Sequence, residues 1–270
     1  MLKPRVLLCS MDGVRPDAIQ AAHTPTIDRL AREGASAWAA RTVMPSVTLP
    51  CHTSMLRGVD TPRHGITSNN FQPLARPVPS LIDQAFDQGR VTGFFYNWEP
   101  LRDLAAPGKL HVSGMVGDAK SPQGDDQVAE LACLFLPRLD FDLLFVYFGW
   151  PDECGHKHGW MSEPYLEAIA NADRCLGRVL DTLESLGRAG ETSTLVLSDH
   201  GGHERTHGTD SDDDILIPWI LHGPGVRPGH VIEPSESPVR IFDTCVTLAH
   251  VLGLQPSVEW DGAVIKEAFV

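Results

Sequence analysis

Seven acidic or imidazole side chains in this 270-residue sequence follow closely on runs of apolar residues. Val6-Leu7-Leu8-Cys9-Ser10-Met11 leads into Asp12. Phe145-Val146-Tyr147-Phe148 leads into Asp152 and, four residues later, His156. Leu195-Val196-Leu197-Ser198 leads into Asp199-His200, followed by His203 and His207. In open α/β sheets, ligands bind beyond the carboxyl ends of the strands. Carboxylates and imidazoles gathered there form a mixed oxygen and nitrogen donor set that suits zinc ahead of manganese or iron. Each piece alone has a plainer explanation: Asp12-Gly13 as a turn, Asp199-His200-Gly201-Gly202 as a loop, Asp152 and His156 as solvated loop residues. Three such groups, each behind an apolar run, point to one shared site.

A nucleophile is available in Met44-Pro45-Ser46-Val47-Thr48-Leu49-Pro50-Cys51-His52. The pattern predicts a short helix over 50–56, ended by Gly58, with Thr48 at its start. Free backbone N–H groups at a helix N-terminus favour an anion. A hydroxyl there that also met a metal would lose its proton easily and attack as an alkoxide. The plainer role for Thr48 is a helix N-cap, and one hydroxyl can serve both.

The elements that must hold these residues alternate. Apolar runs at 6–9, 91–96, 143–148, 194–198 and 215–221 read as buried strands. Near-continuous apolarity such as Leu143-Leu144-Phe145-Val146-Tyr147-Phe148 suits a sheet covered on both faces. Thr24-Pro25 opens a helix that Gly34 closes. Further helices are predicted over 78–88, 125–136, about 164–186 and 241–252, the long one with an apolar stripe of Leu166, Ile169, Leu176, Val179, Leu180 and Leu183. The expected fold class is α/β, a mostly parallel central sheet with helices on both faces. No repeat or composition shift divides the chain, so residues 1–270 are expected to form a single domain, with surface loops at 100–108 and 223–229.

Composition narrows the partners. With 22 Lys+Arg against 35 Asp+Glu the formal charge is −13, which argues against binding a nucleic-acid polymer. It leaves small anionic substrates open, because metal ions invert the local charge. No apolar run approaches the ~20 residues that cross a bilayer, so no membrane partner is expected. The N-terminal apolar run is too short for a signal peptide and reads as a first core strand. Six scattered cysteines without a CxxC pair fit reduced thiols and a cytoplasmic location. The oligomeric state is not legible.

In order, Asp12-Gly, Thr48-Leu-Pro-Cys-His, His64-Gly-Ile-Thr-Ser-Asn69, Pro151-Asp152-Glu-Cys-Gly-His156 and Ser198-Asp199-His200-Gly201 resemble the alkaline phosphatase superfamily, and within it the nucleotide pyrophosphatase/phosphodiesterase branch. The resemblance covers residues 5 to about 226. It implies two zinc ions, one held by Asp152, His156 and His207, the other by Asp12, Asp199, His200 and the Thr48 oxygen. It implies that Asn69, with the Thr48 backbone N–H, binds a phosphoryl oxygen. The implied reaction is hydrolysis of phosphodiester or pyrophosphate bonds in a small phosphate ester or nucleotide, through a phospho-threonine intermediate.

The chain departs from that pattern twice. Cys51 stands where the branch usually has Asn, and is read as a small buried residue. Only six residues separate His200 from His207, which leaves His203 and His207 as rivals for the last ligand. His207 is preferred because His207-Gly208, a following apolar run and Gly223-Pro224-Gly225 keep the family's order. His158 is read as peripheral. A sulfatase lacks support, because Cys51-His52-Thr53-Ser54 does not present its C/S-x-P-x-R motif. Phosphonoacetate hydrolase-like C–P cleavage and a metal-stabilised phosphate binder without turnover remain as alternatives. In Phe94-Phe95-Tyr96-Asn97-Trp98, Tyr96 or Trp98 is a candidate for stacking on a nucleobase, against a plain core-strand role.

Overall fold

Strands β1 (Arg5–Met11), β2 (Ala35–Arg41), β3 (Thr92–Tyr96), β4 (Val112–Met115), β5 (Leu143–Phe148), β6 (Thr192–Leu197), β7 (Leu216–His222) and β8 (His230–Val231) form one sheet. Their order across it is β4-β3-β5-β1-β6-β7-β2-β8. The run from β4 to β6 is parallel, β7 is antiparallel to both β6 and β2, and β8 lies parallel to β2. The computed structural model describes residues 3–234 and 238–270.

Successive side chains of a strand point to opposite faces, and this splits the core into two apolar layers. Leu8, Phe94, Phe145, Leu195 and Trp219 face the helices Thr48–Arg57, Leu81–Asp87 and Asp243–Val251. Leu7, Phe95, Leu144, Val146 and Val196 face Pro25–Glu33, Pro122–Phe135 and Glu163–Ser185. The mostly parallel sheet covered on both faces is therefore the fold the apolar runs implied. On the long helix, Ile169, Leu176, Val179 and Leu183 are buried as its periodicity required.

The differences have physical causes. Strand β2 reads Ala-Ser-Ala-Trp-Ala-Ala-Arg; alanine is a poor strand former, and only pairing with β7 on one side and β8 on the other makes this segment extended. Strands β4 and β8, four and two residues long, carry too little pattern to announce themselves. Residue 215 ends a turn of helix, Asp212–Ile215, rather than opening the strand. Residues 150–158 form a helix instead of a solvated loop.

Candidate metal centre and active site

Strands β5, β1 and β6 are neighbours, so their carboxyl ends deliver Asp152, Asp12 and Asp199 to one place. The turn after β1 needs glycine. Gly13 has φ +66°, and a Cβ there would meet Asp152 Oδ1 at 2.9 Å. The Gly13 N–H donates to Asp199 Oδ1 (3.2 Å), and its carbonyl accepts from Trp160 Nε1 and Tyr165 Oη, both at 2.8 Å. This fixes the loop that carries Asp12.

The helix Trp150–His158 starts where Gly149 N–H donates to Asn97 Oδ1 and Asp125 Oδ1, each 3.1 Å away. Residues four apart share a helix face, and His156 Nε2 lies 3.4 Å from Asp152 Oδ2. The helix lacks an apolar stripe because its residues are largely charged or imidazole and its buried face includes Asp152 and Gly155; Gly155 must be small, since a Cβ there would meet the Trp160 indole at 2.7 Å. Its periodicity is hidden for that reason.

Thr48 is the first residue of its helix, after Val47 as N-cap, and no side chain caps that end. The N-cap role for the Thr48 hydroxyl is thus corrected. Its Oγ1 instead lies 3.2 Å from His200 Nε2. Asn69 Oδ1 accepts from the Leu49 N–H at 2.9 Å, and Asn69 and Thr48 line the same cavity.

Three imidazoles share one orientation. His200 Nδ1 donates to Gly201 O (2.8 Å), His207 Nδ1 to Ser46 O (2.8 Å) and His156 Nδ1 to Arg205 O (3.0 Å). A carbonyl can only accept, so each Nδ1 carries the hydrogen and each Nε2 is left for the centre, the usual arrangement behind metal-binding histidines. His200 Nε2 lies 3.2 Å from Asp12 Oδ1 and 3.4 Å from Asp199 Oδ2. His207 stacks on His200 with ring centroids 3.9 Å apart, and its Nε2 is 3.8 Å from Asp152 Oδ1. His203 turns away: its Nδ1 pairs with Asp214 Oδ1 at 2.8 Å. Of the two rivals, the structure brings His207 to the cluster.

Donor atoms converge in two groups, Asp12–Asp199–His200 and Asp152–His200–His207, with His156 against Asp152. Asp12 Oδ1, Asp152 Oδ1 and Asp199 Oδ2 are buried without a hydrogen-bond partner among the described residues. Unsatisfied buried carboxylate oxygens are costly, and this donor set fits divalent cations that would satisfy them. The electrostatics agree. Burial and facing Asp199 raise the Asp12 carboxyl to about 6. Burial and Asp12 push Asp152 well above the carboxylate range. Burial pulls His200 down, but Asp199, Asp12 and Asp152 outweigh it and lift it to about 10. Burial and neighbouring His200 depress His207 to about 3. The carboxylates call for positive charge, and His207 is held neutral.

A cavity of about 160 Å³ opens onto this cluster, lined by Thr48, Asn69, Trp98, Glu153, His156 and His207 among others, with no Lys or Arg among the described lining residues. Larger concave space, about 730 Å³ around His230, Arg240 and Asp243, holds no such convergence of donors among the described residues. Of the stacking candidates, Trp98 lines the cavity, while Tyr96 is buried and stacked on Phe94 at 4.3 Å. Cys51 is fully buried. His158 borders a neighbouring space with Lys120 and Lys157. Sequence reasoning missed Tyr147, whose Oη donates to Asp12 Oδ2; its signal was only its strand position, opposite Ser10. It also assigned no role to His52, although that residue stands in the Thr48 motif.

Fold and site together define an alkaline-phosphatase-like α/β protein that gathers metal-capable carboxylates and imidazoles beside a threonine hydroxyl. A sequence model of the type I phosphodiesterase / nucleotide pyrophosphatase family matches residues 6–106 and 83–217, and the chain belongs to that family. Rat ectonucleotide pyrophosphatase/phosphodiesterase family member 7 is 26% identical over 220 residues, covering 73% of this chain and 49% of its own length. Rat family member 1 is 28% identical over 268 residues, covering 88% of this chain and 28% of its own. The chain thus spans about half or less of these relatives. Among solved structures, an inactive threonine-to-alanine variant of murine ectonucleotide pyrophosphatase/phosphodiesterase 5 in complex with AMP superposes with a TM-score of 0.82 at 15% identity, covering 99% of this chain and 100% of that one. The phosphonate monoester hydrolase of Agrobacterium radiobacter superposes with a TM-score of 0.78 at 17% identity, covering 97% and 76%.

Proposed function

We propose that this chain, as one domain over residues 1–270, hydrolyses phosphodiester or pyrophosphate bonds in small substrates, with Thr48 as the nucleophile. The observation that carries the reading is the convergence of three unsatisfied carboxylate oxygens, from Asp12, Asp152 and Asp199, beside the Thr48 hydroxyl. Asp12, Asp199, His200 and Thr48 would hold one divalent cation, and Asp152, His156 and His207 a second, with zinc the choice that best fits the donors. When bound, such ions ease loss of the Thr48 proton and stabilise charge on the attacking and leaving oxygens.

The chain's own residues set the rest. Thr48 sits at a helix start, where its own backbone N–H favours a phosphoryl oxygen, the Leu49 N–H being held by Asn69. Asn69, its Oδ1 occupied by Leu49 N–H, offers its amide hydrogens to the same group. Thr48 Oγ attacks phosphorus, the new O–P bond replaces the bond to the leaving oxygen, and water then hydrolyses phospho-Thr48. Nucleoside 5′-phosphate esters, dinucleotides and small alkyl diesters are the substrate classes in reach. No helix among the described residues is long and apolar enough to cross a membrane. The six unpaired cysteines support placement in the reducing cytoplasm.

Steady-state kinetics on bis-p-nitrophenyl phosphate, p-nitrophenyl phosphate, a dinucleoside pyrophosphate and phosphonoacetate, with metal content measured on the same sample, test the reading. Turnover of the diester or pyrophosphate with about two zinc ions per chain is expected. Phosphonoacetate as the sole good substrate, or binding without turnover, would overturn it.

A further inference from the structure

One buried ionisable side chain next to the site has no part in the chemistry above. His52 is fully buried and lies one turn after Thr48 on the same helix. Its Nδ1 is 2.9 Å from the Thr48 carbonyl oxygen and 3.3 Å from Asp199 Oδ2. Neither oxygen carries a hydrogen in the ionised site, so Nδ1 must be the protonated nitrogen. Its Nε2 lies 2.9 Å from Ser10 Oγ on β1, two residues before Asp12. The Tyr147 ring, whose hydroxyl donates to Asp12, meets His52 edge-on with centroids 5.3 Å apart.

A single imidazole therefore touches the three elements that bring Thr48, Asp12 and Asp199 together: the helix after residue 47, strand β1 and the end of β6. We infer that His52 is a positioning residue, whose Nδ1–H holds Thr48 and Asp199 at a fixed separation while Ser10 fixes the plane of the ring. The inference rests on reading Thr48 as the nucleophile. A histidine that merely filled the core would not need both nitrogens facing polar atoms, nor one of them 3.3 Å from Asp199 Oδ2, a buried carboxylate oxygen without a hydrogen-bond partner among the described residues. Partners behind metal-binding groups are worth roughly 10–100-fold in activity or metal affinity, and a displacement of about 1 Å at a reacting group costs on the order of 100-fold in rate.

Two isosteric changes separate the nitrogens. The amide nitrogen of Asn takes the place of Nδ1, and that of Gln the place of Nε2. His52→Asn should keep kcat on bis-p-nitrophenyl phosphate within about fivefold of the unaltered protein, while His52→Gln should lose roughly 30–100-fold with KM little changed. In cobalt-loaded protein, the visible absorption bands should move in His52→Gln and stay in His52→Asn, because only the former frees Asp199. Ser10→Ala, a smaller change that leaves the ring in place, should fold normally and lower kcat by about fivefold. Equal kcat losses with equal cobalt spectra in the two His52 variants would overturn the inference, as would an unaltered kcat in Ser10→Ala. If the unaltered protein cleaves no ester, the phosphodiesterase reading fails alone, since the cobalt spectra still decide the role of His52.

Discussion

Thr48 Oγ1 lies 3.2 Å from His200 Nε2, and nothing local in the chain brings them together. Thr48 begins a helix packed on one face of the sheet; His200 follows the end of β6, a central strand. The His200 ring is locked by its Nδ1–H bond to Gly201 O, so the nitrogen facing the hydroxyl is the one with a lone pair when the ring is neutral. A rigid strand end and a helix N-terminus thus fix one side each of the proposed reacting site, where small displacements are expensive.

Thr48→Ala tests that geometry most directly. It removes the hydroxyl proposed to attack and leaves the carboxylates and imidazoles in place. Because no side chain caps this helix, the loss of about 1 kcal/mol expected for a removed N-cap should not appear. The melting temperature and zinc content should stay close to those of the unaltered protein, while kcat falls by roughly three orders of magnitude or more. Thr48→Ser, which keeps the oxygen, should lose less than about tenfold. Near-normal kcat in Thr48→Ala would rule out the covalent route.

Much of this geometry was legible in the sequence, and the reasons differ by residue. Asp12 and Asp199 follow strands so apolar that residue order alone placed them at the sheet edge. Asp152 and His156 were readable as a pair but not as helical, because their segment is mostly charged and imidazole residues with a glycine against Trp160, and so carries no apolar stripe. The choice between His203 and His207 needed the three-dimensional arrangement: Asp214 draws His203 away, and spacing alone does not say which ring turns inward. Tyr147 looks like any core strand residue until its hydroxyl is seen on Asp12.

Metal removal should expose the crowding of the carboxylates. In the metal-free protein Asp152 sits among Asp12 and Asp199 with an unsatisfied oxygen. Asp152→Asn relieves that repulsion, so the metal-free variant should melt several degrees above metal-free unaltered protein. Zinc should raise the melting temperature of the unaltered protein strongly and that of the variant much less, because binding to the folded state alone stabilises it. Calorimetry with and without chelator checks both, and an equal zinc-induced rise in the two proteins would contradict the ligand assignment of Asp152.

Substrate charge gives a third expectation. The cavity has Asn69 and Glu153 in its wall and no Lys or Arg among the described lining residues, so a monoester's second negative charge finds no protein cation. The kcat/KM for a p-nitrophenyl diester should exceed that for p-nitrophenyl phosphate by about tenfold or more. The reverse order would contradict this reading of the cavity.

The last expectation concerns Asp125, which holds the start of the helix bearing Asp152 and His156 through the N–H groups of Gly149 and Trp150. Burial raises its carboxyl to about 8, against the opposing pull of hydrogen bonds from Asn97, Trp150 and Gly149. In the unfolded chain the same group ionises near about 4. Between about pH 4 and 8 the folded protein therefore keeps a proton that the unfolded chain has released, and this group's contribution to stability falls as pH rises through that window. Below about pH 4 both states are protonated and the penalty vanishes. Asp125→Asn mimics the protonated carboxyl, keeps an oxygen for the two N–H groups and cannot ionise. Its melting temperature should match that of the unaltered protein near about pH 4 and exceed it increasingly toward about pH 8, each pKa unit of displacement being worth about 1.4 kcal/mol at most. Thermal melts of both proteins across that range, with chelator present to remove metal effects, measure the difference; a gap that stays constant with pH would show that Asp125 is ionised in the fold.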